Sequence, residues 1–285
     1  MDITTGLLIL VIGILAGGFG TIVGAGGGFI LVPILLIVFH MEPTVAAGSG
    51  LVIVFINSIS GVLGYARQRK INYRMGITIG IGALPGSFIG VWLLQLYSSN
   101  FFYILFASIL VCLGIFLLVK NSPTALKRKE KDLAFSEGGT KRSFSQKGDI
   151  VSSEDESTTK QFLVNSTFFQ PKWLLPLGFL MGILSSYLGI GGGWLLVPIL
   201  IYVFHVSTHH ATATSIFSLC LYSSVGVLFH LIYGSIDWMT IFWGGVGVTI
   251  GAQLGVLSSQ KIPGKVIMQM LSVLLIVIGF RMYFN

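Results

Sequence analysis

Ionisable side chains are scarce in this sequence. Asp, Glu, Lys and Arg make up 9% of its 285 residues, where soluble domains carry about 25%. That shortfall excludes a soluble globular protein. The charges it has are also unevenly spread. Residues 120–172 hold ten of the seventeen Lys and Arg and seven of the ten Asp and Glu. Outside that stretch the basic residues are Arg67, Arg69, Lys70, Arg74, Lys261, Lys265 and Arg281, and the acidic ones Asp2, Glu42 and Asp237. Cysteine is nearly absent. Cys112 and Cys220 lie in apolar runs, which excludes a disulfide framework. Paired carboxylates, a nucleophile–base–orienter set and cofactor motifs are missing, so the chain reads as a non-enzyme with no cofactor. No Cys, Asp or Glu supports the histidines, and no metal site is expected.

What the chain has in quantity is apolar sequence: 54% hydrophobic residues, 37 glycines and a mean hydropathy of +0.89. With one polar internal stretch, this reads as an all-α polytopic membrane protein in a lipid bilayer. The net charge of +7 then reports which loops stay in the cytoplasm and is no nucleic-acid signal.

The sequence is duplicated. Shifted by 165 residues, GAGGGFILVPIL from Gly24 falls on GIGGGWLLVPIL from Gly189, and twelve of seventeen positions from 24 to 40 are identical. Gly80, Gly82, Gly86 and Gly90 fall on Gly245, Gly247, Gly251 and Gly255. The expected units are an N-terminal membrane repeat, 1–119, a polar cytoplasmic linker, 120–172, and a C-terminal membrane repeat, 173–285. Each repeat holds five apolar segments: 3–22, 26–40, 44–65, 75–95 and 101–119, then 173–188, 191–205, 211–233, 238–257 and 266–284. The last three in each repeat are long enough to span. Segment 26–40 gives only about 22 Å of helix and carries Pro33, as 191–205 carries Pro198. The first two segments of each repeat are thus a Gly-interrupted pair, either two crossings or a re-entrant hairpin. The basic loop Arg67–Arg74 reads as cytoplasmic, its counterpart at Asp237 as external, and the loop of Lys261 and Lys265 as cytoplasmic again. Equivalent loops have opposite sidedness, which predicts inverted repeats with both termini extracellular.

Three groups of residues are candidates for function. Gly26, Gly27 and Gly28, with Gly191, Gly192 and Gly193, each precede a short helix whose free N–H groups and dipole attract an anion. Close helix packing is the alternative use of such glycines. Ser49, Asn57, Thr214 and Ser218 lie on the third segments, where hydroxyls and an amide can bind an oxyanion without a buried charge; Thr212 and Ser215 add further hydroxyls. His230, within an apolar segment opposite Tyr65 in the repeat, is the candidate for coupling to protons. The Gly-x3-Gly rows from Gly82 and Gly247 read as packing.

The duplicated Gly-Gly-Gly-x3-Val-Pro pattern, covering both halves, resembles the TauE/SafE sulfite-exporter family, also known as toluene-sulfonate uptake permeases. The resemblance implies a permease for sulfite, sulfonates and related anions, with the glycine motifs near the transport path. The expectation is a secondary transporter of small sulfur-containing anions in the plasma membrane, working by alternating access, with a proton gradient as an available driving force and a homo-oligomer allowed. A passive anion channel and a membrane scaffold or sensor acting through the loop are the alternatives.

Overall fold

The computed structural model describes residues 3–96, 99–120, 171–234 and 236–283. The expected linker, 120–172, lies almost wholly outside the described residues. Among the described residues ten helices run in order: α1 (Ile3–Val23), α2 (Gly28–Ile37), α3 (Pro43–Arg67), α4 (Tyr73–Leu96), α5 (Ser99–Lys120), α6 (Pro171–Leu188), α7 (Gly193–Tyr202), α8 (Thr208–Ile232), α9 (Trp238–Ser259) and α10 (Gly264–Tyr283). No strand occurs among the described residues. Seven of the helices are long and apolar enough to cross a membrane, and α2, α6 and α7 are shorter. α6 is thus shorter than its counterpart α1. Rows of apolar side chains, such as Leu7, Leu8, Val11 and Leu15 on α1 and Phe242, Val246, Ile250 and Leu254 on α9, face outward, as a protein solvated by lipid requires.

Local signals set the helix ends. Pro43 opens α3, where its missing N–H costs nothing. Asp237 caps α9 by accepting from the Thr240 N–H at 3.3 Å, and Asn72 accepts from Met75 N–H at 3.2 Å to start α4. The short helices end alike. His40 and His205 are left-handed, with φ of 47° and 54°. Beyond them Met41 N–H reaches the Leu35 carbonyl at 3.1 Å and Val206 N–H the Leu200 carbonyl at 3.0 Å, which closes each helix. These two histidines are therefore turn residues.

The packing exchanges helices between the halves. α1 packs mainly along α9, and α4 along α6. Both contacts are backbone to backbone. A Cβ on Gly13 would lie 2.9 Å from the Gly244 carbonyl, and one on Gly86 would lie 3.0 Å from the Ile183 nitrogen. Only glycine allows such an approach. α1 and α9 run in the same direction, since Gly13 meets Gly244 and Gly18 meets Gly251. α3 runs with α9, as Ile53 meets Gly244 and Gly64 meets Val256. α3 and α8 run opposite ways, Leu51 meeting Gly226 and Ile216 meeting Gly61. α4 runs with α6 and α8. α2 turns back against α3, with Gly28 at Val54 and Val32 at Gly50. At ten residues α2 is about 15 Å long, half the roughly 30 Å of hydrocarbon. It is a half-length return and not a second crossing.

Candidate functional site

The two glycine breaks are built from residues that must turn the chain inside a packed bundle. Gly24, Gly26 and Gly27 have φ of 86°, 81° and 76°; Gly189 and Gly191 have 70° and 74°. An L side chain is strained at these angles. In the first break the N–H groups of Gly24, Ala25 and Gly26 converge on the Gly20 carbonyl at 2.9, 2.7 and 3.2 Å. The second is not an exact copy: Gly192 has φ −79°, where Gly27 is left-handed.

The breaks meet each other. A Cβ on Gly28 would lie 2.7 Å from the Ile190 carbonyl oxygen, and one on Gly193 would press on the Gly24 carbonyl and lie 2.9 Å from the Ala25 Cα. Val54 and Leu219, equivalent in the repeat and near the middle of the two 25-residue helices, both flank Gly26 and Gly191. Ser215 donates to the Gly24 carbonyl at 2.9 Å. Thr212 lies against Gly24, and the Tyr222 hydroxyl would be 3.0 Å from a Cβ on Gly192. Every residue of both breaks is buried. The first amides of α2 and α7 have no helical carbonyl to bond, so two positive helix ends abut at one buried place. Free N–H groups at a helix start can bind a small anion.

The six predicted glycines are thus brought together, but the other predicted residues are not all with them. Ser49 accepts the Asp237 N–H at 2.8 Å, and its equivalent Thr214 accepts the Asn72 N–H at 3.1 Å. Each hydroxyl ties the cap of a fourth helix to the other half. Ser218 donates to Thr214 O, one turn back on its own helix, at 2.9 Å. Asn57 donates to Thr21 Oγ1 of α1 at 3.2 Å. His230 Nε2 lies 3.2 Å from the Ser186 carbonyl, and in the equivalent place the Tyr65 hydroxyl donates to the Thr21 carbonyl at 2.9 Å. Ser215 and Tyr222 carry hydroxyls that reach the breaks. The sequence signal for Val54 and Leu219 was their equivalence under the 165-residue shift, which apolar identity alone does not distinguish from core.

The hydroxyls near the breaks are unequally satisfied. Ser185, Ser186, Ser223 and Thr212 hydroxyls and His230 Nδ1 have no hydrogen-bond partner among the described residues, and all are at most 1% exposed. At the equivalent first-half positions only the Ser58 hydroxyl is left so. A buried polar group left unpaired costs about 1–3 kcal/mol.

Comparison with known proteins decides the family. The family model described as sulfite exporter TauE/SafE matches residues 9–282. The chain belongs to the TauE/SafE family. Its relatives include the probable membrane transporter protein YunE of Bacillus subtilis, 28% identical over 98% of this chain and 97% of YunE. A probable membrane transporter protein of Methanocaldococcus jannaschii is also 28% identical, over 96% of this chain and 94% of its own. The probable membrane transporter protein YdhB of B. subtilis is 23% identical over 92% and 93%. No solved structure matches. This TauE/SafE chain is therefore a multi-pass membrane transporter.

Proposed function

We infer that this transporter moves small sulfur-containing anions, of the sulfite and organosulfonate class, across the cell membrane by alternating access. The observation that carries the reading is the meeting of two buried helix N-termini at Gly28 and Gly193. A compact anion is the ligand such a place selects, because it is recognised by N–H groups and dipoles without a charged partner. The family description as a sulfite exporter supports the substrate class. The halves act as inverted repeats: α3 and α8 are equivalent and run opposite ways. Orientation follows from charge. Arg67, Arg69, Lys70 and Arg74 follow α3, Lys261 and Lys265 follow the parallel α9, and His210 Nδ1 at 2.9 Å from the Lys70 carbonyl joins α8 to them. Glu42 and Asp237 are at the opposite helix ends. The basic end faces the cytoplasm and the termini face outward.

The test is flux of sulfite and organosulfonates into proteoliposomes. Saturable uptake with counterflow is expected for the wild type. Gly27→Leu and Gly192→Leu variants that insert normally and still transport at the wild-type rate would sink the site.

A further inference from the structure

We propose that the seam between α6 and α8 is a proton site, in which Nδ1 of His230 takes up a proton together with the transported anion. This rests on the transporter reading above. The Ser186 carbonyl 3.2 Å from Nε2 can only accept, so Nε2 carries the hydrogen and the neutral ring keeps its lone pair on Nδ1. The link to α6 does not by itself call for histidine. Tyr65 makes the same link in the first half and leaves no basic atom behind. Among the described residues Nδ1 has no partner, and the side chain is 0% exposed.

The surroundings differ between the halves in the same sense. Ser186 Oγ is turned to Gly226, one turn before His230 on α8, and it is unpaired, as are Ser185 and Ser223. Its first-half equivalent, Thr21, is closed onto Asn57. Each of these hydroxyls can both donate and accept, whereas the equivalent Thr21 hydroxyl is already engaged. α4 brings Phe88, packed on Phe229, and α3 brings Leu51, packed on Gly226. Tyr187 of α6 is turned to Phe102 of α5. Glu42 precedes α3, Tyr233 ends α8 exposed, and Asp237 is bonded to Thr240. Among the described residues no ionised side chain is paired with the ring. An imidazolium there lacks a counter-ion, which burial makes costly. An anion at the breaks supplies one: Tyr222, whose hydroxyl is at Gly192, is eight residues before His230, about 12 Å along α8. Anion and proton therefore favour each other's binding, and a monoanion with one proton crosses without net charge.

The experiment uses proteoliposomes at zero membrane potential with an acid outside, and methanesulfonate, whose own charge does not change with pH. Wild type is expected to accumulate it. His230→Gln keeps an N–H for Ser186 but has no atom that takes a proton. We expect it to lose gradient-driven accumulation at least tenfold while methanesulfonate exchange at saturating substrate stays within twofold. His230→Tyr, which installs the first-half residue, should do the same. Accumulation by His230→Gln at the wild-type level overturns the proposal. So does loss of exchange in both variants, which marks a merely structural link. A wild type that exchanges but never responds to the gradient overturns it too. Absence of any exchange in the wild type counts against the sulfur-anion substrate class proposed above instead. The proton site is then decided by 15N NMR of histidine-labelled protein with methanesulfonate present. A signal missing from His230→Gln whose Nδ1 shift titrates between pH 5 and 8 supports it; a signal that stays neutral overturns it.

Discussion

Single residues at the glycine breaks carry requirements that differ sharply from glycines elsewhere. Gly193 has the Gly24 carbonyl where its Cβ would go, whereas Gly234, also left-handed at φ 70°, has nothing within 4 Å. We expect Gly193→Ala to lower transport at least tenfold in protein that still inserts. Gly234→Ala should cost about 1 kcal/mol of backbone strain and leave transport unchanged; initial flux and thermal melting in detergent measure both. Ser49 and Thr214 test a different point. Each accepts an inter-half N–H, so Ala at either should lower stability by about 1 kcal/mol with the substrate KM unchanged. A raised KM at unchanged stability would return them to the binding site. The glycines were legible in sequence because conformational freedom is a property of the residue itself. The hydroxyls were not, because a serine's role depends on which N–H reaches it. For Ser49 that N–H belongs to Asp237, 188 residues away.

Among elements, each fourth helix packs on the other half of the sequence. α9 packs on α1 and α3, and α4 packs on α6 and α8, so the units that hold together are not the sequence halves. The glycine rows announced that close packing would occur but not with which partner, since small residues specify distance and not identity. If α1, α2, α3 and α9 form one body and α6, α7, α8 and α4 the other, the α3–α8 contact is where they rock. A short bifunctional thiol reagent joining Cys pairs gives the measurement. Leu51→Cys with Gly226→Cys spans α3 and α8, and crosslinking it should abolish flux. Phe88→Cys with Phe229→Cys, whose native rings are 5.0 Å apart, lies within one body, and crosslinking it should leave most of the flux.

At the scale of the whole molecule, the duplication made the helix order and the two half-length helices readable, because a 165-residue shift brings both Pro-containing short segments into register. The described residues that meet at the breaks come from the two membrane repeats. Deleting 125–165 is therefore expected to keep most of the transport rate, as measured by flux per inserted protein, while a signalling role for that stretch would show as its loss.

The pairing of α1 with α9 also has a consequence for biogenesis. α1 ends at Val23 and α9 begins at Trp238, so more than two hundred residues must leave the ribosome before the glycine face of the first helix finds its mate. Until then that face rests against lipid or an insertase, with backbone that no side chain shields. The first half on its own is an orphan subunit in all but name, and quality-control proteolysis, not weak activity, is the fate to expect for chains truncated before α9.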